Sequence, residues 1–303
     1  RPNQFCNLTE IVVRAGDTVN TLTRKIKVAT LLGTIQSTFT NFGYLRKRWQ
    51  DNTEEERLLG VSLTGIMDSE LLNGKEAGLE KTLEKLKKVA VDCNKEYADK
   101  FGINQSTAIT CVKPSGTVSQ LVDSASGIHA RHNPYYIRTV RGDKKDPLTE
   151  FLKASGIPSE DDKMKPDHTT VFSFPMMAPK GSVCRTDMTA IQQLEMWKIY
   201  AKHWCEHKPS VTISVKEDEW VPVGAWCWEN FEYLSGVSFL PFADHTYTQA
   251  PYQDIDEKTY KKLVKAMPTT IDWTKLQDFE KEDNTKGSQE LACTAGVCEL
   301  VDI

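Results

Sequence analysis

The sequence predicts an α/β protein whose strands pair mainly in parallel, and three observations predict it. Short β-branched and apolar runs recur along the chain: "FCNLTEIVVR", "LLGVSLTGIMDS", "TTVFSFPM", "SVTISV" and "VSFLPF". Between them lie stretches with helical periodicity, the clearest being Leu79, Leu83, Leu86, Val89, Cys93 and Tyr97 among lysines and glutamates. Strand and helix signals alternate, which favours helices packed on a parallel sheet.

Taken in order, "FCNLTEIVVR" reads as a strand, and "AGDT" supplies a turn and an N-cap for a helix from about Thr18 to Phe42. "LLGVSLTGIMDS" is short and punctuated by glycine, as in a buried strand or a tight strand-to-helix turn. A helix follows from Glu76 to about Phe101. "STAITCVKPSGTVSQLV" gives strand, loop and apolar continuation, and the polar stretch from Gly142 to Asp167 reads as a surface excursion. Asp187 is the expected cap of a helix lined by Met188, Ile191, Leu194, Trp197 and Ala201. Beyond Pro251 the chain turns charged, and from Lys281 to Glu290 it carries no apolar side chain, the composition of a mobile linker.

The 303 residues are enough to bury a large core, and 39% hydrophobic with 26% charged residues is a globular balance. A net charge of -4 gives no general nucleic-acid surface. No apolar run reaches the roughly 18 residues of a membrane span, and no secretory leader opens the chain, so a cytoplasmic location is expected. The eight cysteines are scattered, as expected of mostly buried thiols in a reducing compartment. Because the sequence starts at Arg1 with no initiator methionine, it is expected to be a piece of a longer protein.

Four groups of residues could carry chemistry. In "KPSGTVS", Ser115, Gly116, Thr117, Val118 and Ser119 follow a β-rich run; such a bend can aim backbone N-H groups and hydroxyls at an anion, and it fits a plain turn equally well. It is not a Walker A loop. Cys293 and Cys298 form a close thiol pair suited to dithiol exchange, and the tail offers no histidine to make them a metal site. Cys6 sits in a strand, where a small buried hydrophobe is the usual role. His203, Glu206 and His207 match a His-x-x-Glu-His order, but Pro209 ends that helix and no third ligand is evident, so they, like His129 and His132, read as structural histidines; no metal is expected.

Together "FCNLTEI", "LLGVSLTGIMD", "KPSGTVSQLVDSASGIHARHNPYYIRTVR", "GVSFLPFADHTYTQAPY" and "ELACTAGVCEL" resemble the C-terminal part of ribonucleotide reductase, most closely the adenosylcobalamin-dependent class II enzymes. The resemblance implies part of a ten-stranded α/β barrel over 1-280, lacking the loop that carries the family's radical cysteine in an Asn-x-Cys-x-Glu motif, and a mobile redox tail over 281-303. It implies that Cys6 is one of two reducing cysteines whose partner lies on an N-terminal part, that Cys293 and Cys298 are the tail dithiol recharged by a thioredoxin-like donor, and that Ser115 to Ser119 hold the phosphates of a ribonucleotide. No tyrosine doublet precedes the tail, where class I enzymes carry one, which favours adenosylcobalamin as the radical source. Two other readings are a nucleotide-phosphate binding module, which would bind nucleotide with no partner, and a thiol-disulfide carrier relying on the tail cysteines alone.

Overall fold

The computed structural model describes residues 1-242, 248-281, 292-294 and 297-299. Along the chain the elements are β1 (Asn7–Val12), α1 (Val19–Gln36), α2 (Lys47–Glu56), β2 (Leu59–Thr64), α3 (Leu79–Phe101), β3 (Thr110–Cys111), α4 (Gly116–Leu121), β4 (Tyr135–Asp143), α5 (Pro147–Ala154), β5 (Ser159–Asp161), β6 (Thr169–Met177), α6 (Ala190–His203), β7 (Val211–Val215), α7 (Trp220–Glu229), β8 (Val237–Pro241), β9 (Tyr252–Asp254), α8 (Glu257–Ala266), β10 (Ala292–Thr294) and β11 (Val297–Glu299). They fall into two compact units, Arg1–Pro134 with Ala178–Asp244, and Tyr135–Met177 with His245–Ile303.

The first unit is the expected parallel α/β assembly. β1 pairs with β2 from Asn7↔Leu59 to Val12↔Thr64, β2 pairs with β3, and β7 pairs with β8, all in parallel. A parallel bridge at Val112↔Pro209, with the Ser210 N-H donating to the Val112 carbonyl at 2.8 Å, joins β3 to the start of β7. The described strands therefore run side by side in the order β1-β2-β3-β7-β8. One face packs on helices through Ile11, Leu59, Val61, Leu63, Val211 and Ile213, which share a core with Leu22, Ile26, Leu83, Leu86, Leu194 and Trp197.

Local chemistry sets the helix ends. α1 opens on a Thr18–Thr21 capping box and closes at Ser37, whose hydroxyl donates to the Thr34 carbonyl at 2.7 Å, so the helix stops short of Phe42. Glycines in the left-handed region, Gly78 and Gly102, bound α3. α6 is capped by Thr189 with Gln192 rather than by Asp187, whose carboxylate accepts the Cys184 N-H at 2.8 Å. A threonine with glutamine three residues later outcompetes the aspartate because the box satisfies two amides at once.

The second unit departs from the expected parallel pairing. Its sheet, ordered β5-β6-β4-β9, is antiparallel throughout. The stretch from Gly142 to Asp167, expected as a surface excursion, is largely exposed but also carries a helix: Asp146 caps α5 with Pro147 in its first turn, and Phe151 and Ile157 are buried. Its polar composition hid one apolar face. α8 likewise follows an Asp256 cap in a segment that reads as merely charged. No helix among the described residues is long and apolar enough to cross a membrane. Of the expected linker and tail over 281-303, only Lys281 and the antiparallel pair β10–β11 lie among the described residues; the backbone register of that pair sets Cys293 opposite Cys298.

Candidate active site

In a strand successive side chains alternate between faces, so the residues of β1, β2 and β3 that avoid the helical core line the opposite face. With Leu8 opposite Gly60, Glu10 opposite Ser62, and Ser62 opposite Cys111, that face carries Cys6, Leu8, Glu10, Gly60, Ser62, Cys111 and Lys113. Leu8 apart, it is small or polar, whereas Ile11, Leu59, Val61 and Leu63 point to the helices. A Cβ at Gly60 would stand 3.1 Å from the Cys6 sulfur and 3.5 Å from the Cys111 sulfur, so the two thiols flank the glycine. They belong to chain segments two strands apart, about 9–10 Å, which exceeds the Cα separation of a disulfide. Both are free thiols.

Cys6 is half-buried, and burial pushes its thiol above the ordinary range while the Lys113 charge pulls it back. Cys111 is fully buried, and the same loss of hydration pushes it up to about 12, which leaves it a neutral thiol. The His207 Nε2 donates to the Leu59 carbonyl at 2.7 Å and lies 4.0 Å from the Cys6 sulfur, so the imidazole is committed to the backbone beside the thiol.

The "KPSGTVS" bend leaves the end of β3 on this same side. The Lys113 N-H donates to the Ser62 hydroxyl at 3.0 Å, and Gly127 passes so close that a Cβ there would stand 2.5 Å from the Lys113 carbonyl oxygen. Ser115 adopts a left-handed conformation, φ 42°, and its hydroxyl donates to Glu10 Oε2 at 2.6 Å. The first-turn amides of Gly116, Thr117 and Val118 have no intrahelical acceptor. Thr117 is exposed, whereas Ser119 is buried with its hydroxyl turned back to the Gly116 carbonyl at 3.5 Å. The bend can thus offer an anion amides and the Thr117 hydroxyl.

The far end of α4 is braced from behind. Arg14 donates to the Val122 and Asp123 carbonyls at 2.6 and 2.8 Å. Arg131 forks onto both oxygens of Asp68 at 2.8 Å, with both side chains almost wholly buried, and reaches Asp123 Oδ1 at 2.7 Å. Asp68 also accepts the Ala125 N-H at 2.9 Å and the Ser182 hydroxyl at 3.2 Å.

The histidines behave as structural groups. His203 pairs with Glu84 at 2.8 Å, and Glu206 accepts the Ile109 N-H at 2.8 Å. His129 lies 2.9 Å from the Ser126 carbonyl through Nδ1 and accepts the Thr212 N-H at Nε2, also at 2.9 Å. Among the described residues no cluster of three or more histidine, cysteine or acidic side chains could hold a metal. Cys6 and the Ser115 end of the bend share one sheet face; the side chains of Cys293 and Cys298 lie outside the described residues. Glu10, Gly60, Ser62 and Cys111 were not singled out by any motif, and the signal that could have found two of them is the alternation of small or polar with aliphatic residues in "GVSL".

No protein-family profile matches the chain. In fold, it is similar to a B12-dependent class II ribonucleotide reductase of known structure, with a TM-score of 0.79 at 23% identity over 92% of this chain and 42% of that one. In sequence, it is 28% identical over 270 residues to the probable adenosylcobalamin-dependent ribonucleoside-triphosphate reductase of Dictyostelium discoideum, and 26% identical over 282 residues to the corresponding enzyme of Lactobacillus delbrueckii. The chain is related to the adenosylcobalamin-dependent ribonucleotide reductases. The alignments cover 84% and 82% of this chain but only 34% and 37% of those reductases, so it spans about a third of their length. The reductase of Euglena gracilis is matched likewise, at 28% identity over 74% of this chain.

Proposed function

We propose that this chain is the C-terminal part of a ribonucleotide reductase catalytic chain, reducing ribonucleoside diphosphates or triphosphates to deoxyribonucleotides for DNA synthesis. The observation that carries the reading is the shared face: a half-buried thiol, Cys6, and an anion-type bend tied to Glu10, four residues further along the same extended run, about 13 Å at the rise of a strand. A nucleotide whose phosphates rest on Ser115, Gly116, Thr117, Val118 and Ser119 would lay its ribose toward Cys6. Ser119 then serves through its backbone, since its hydroxyl is turned inward.

In this reading the five parallel strands form one half of a ten-stranded barrel closed by an N-terminal part, which supplies the radical cysteine and the second reducing thiol. Residues 1-280 belong to the barrel domain and 281-303 to the redox tail. As the ribose 2′-hydroxyl leaves as water, Cys6 and its partner thiol give up two electrons and two protons and become a disulfide. A thiolate from Cys293 or Cys298 attacks that disulfide, the neighbouring tail thiol completes the exchange, and the resulting tail disulfide is reduced by a thioredoxin-like dithiol. The register that sets Cys293 opposite Cys298 is compatible with such a pair.

Adenosylcobalamin, when bound, supplies the radical chemistry. His129, His203 and His207 are each committed to a protein partner, so none of these three fits the role of a cobalt ligand. The test is reconstitution. This chain, with an N-terminal part bearing the radical cysteine, adenosylcobalamin, a ribonucleotide and a dithiol donor, should yield deoxynucleotide. Cys6→Ser should abolish product, whereas Cys293→Ser with Cys298→Ser should leave about one turnover from a pre-reduced site. No product from the matched mixture would overturn the proposal.

A further inference from the structure

Glu10 is an acidic side chain facing a bend that otherwise suits an anion. Its Oε2 accepts the Ser115 hydroxyl at 2.6 Å, and its Oε1 lies 3.5 Å from the Ser62 hydroxyl, which in turn accepts the Lys113 N-H at 3.0 Å. Two ends of the bend, Lys113 and Ser115, are thereby pinned to β2 and β1. Ser115 is held at φ 42°, a conformation that costs a non-glycine residue free energy, and a charged hydrogen bond of this length offsets it. The next backbone groups depend on that setting: the Ser119 N-H bonds the Ser115 carbonyl at 3.0 Å, and the Ser124 N-H bonds the Ser119 carbonyl at 2.9 Å.

We propose that Glu10 is a positioning residue whose carboxylate locks Ser115 in its left-handed conformation and so fixes the anion bend against the strand that carries Cys6. The inference rests on the reading of that bend as the phosphate site only for its functional consequence; the lock itself is a statement about Glu10 and Ser115. A phosphate held by the Gly116 to Val118 amides would then stand at a set distance from the reducing thiol, because bend and thiol hang from one strand. Gln at position 10 keeps an oxygen acceptor for the Ser115 hydroxyl and removes the charge; Ala removes both.

Amide hydrogen exchange on the whole chain tests the lock, and CTP titration of the chain joined by its N-terminal part tests its consequence. Glu10→Ala should speed exchange of the Ser119 and Ser124 amides about tenfold or more, the loss expected for a hydrogen bond to a charged group, with the α3 amides unchanged as a control of folding. Glu10→Gln should stay within about threefold of the native chain, since it keeps the acceptor. Ser115→Ala should loosen the bend as Glu10→Ala does, and the double variant no further. Equal exchange in the native and Glu10→Ala chains would overturn the lock. If exchange behaves as expected and CTP binds at least fivefold more weakly to Glu10→Ala, both the lock and the phosphate reading stand. Expected exchange with CTP binding unchanged or absent leaves the lock standing and overturns the phosphate reading.

Discussion

Replacing Asp68 with Asn tests the brace behind the anion bend. The Asp68 and Arg131 side chains are 2% and 3% exposed and share two hydrogen bonds of 2.8 Å, and Asp68 also accepts the Ala125 N-H and the Ser182 hydroxyl. Asn has one acceptor oxygen and one NH2 group where Asp has two acceptors, so at least one donor then faces a donor and the guanidinium loses its buried counter-charge. Breaking one side of a buried pair costs about 3–5 kcal/mol. The lower end applies because Asp123 still reaches Arg131 at 2.7 Å, though its carboxylate is 56% exposed and screened. A loss of about 3 kcal/mol lowers the midpoint of a unit this size by about 6–12 °C. Thermal unfolding followed by circular dichroism reads this directly. Asp68→Leu combined with Arg131→Met should recover at least half of the loss, since an apolar pair of similar volume removes both charges together. A melt of Asp68→Asn within about 2 °C of the native chain would refute the reasoning.

Three further outcomes are expected. The Cys6 thiol is raised by burial and opposed by Lys113, so its alkylation by iodoacetamide, followed by peptide mass spectrometry, should rise only above the ordinary thiol range; Lys113→Met should move that rise to higher pH, and an unchanged profile would remove Lys113 from the site. Gly60→Ala sets a Cβ 2.3 Å from Leu8 Cδ2 and 3.1 Å from the Cys6 sulfur, and should slow Cys6 alkylation while costing about 1–3 kcal/mol in urea unfolding; native reactivity would show that the space is not needed. Burial lowers the His129 pKa, so below about pH 6.5 the unfolded chain takes up a proton that the folded chain resists until its own lower pKa, and stability falls as pH drops through that window. His129→Gln should flatten this part of the urea-midpoint profile, and parallel profiles would refute the assignment.

The sequence by itself determined the alternation of strands and helices in the first unit, the α3 helix, the bend at Lys113 to Ser119 and the thiols at 6, 293 and 298, because periodicity, caps and turn residues act over a few positions. It misread the second unit, where antiparallel pairing of Tyr135–Asp143 with Thr169–Met177 joins segments separated by α5 and β5. A polar surface run also concealed the buried face of Phe151 and Ile157. Only tertiary structure decided that Cys6, Glu10, Gly60, Ser62 and Cys111 share one face with Ser115, and that Arg131 reaches back 63 positions to Asp68. Register between strands distant in sequence is set by which side chains the helical core can accept, and that selection exists only once the helices have packed.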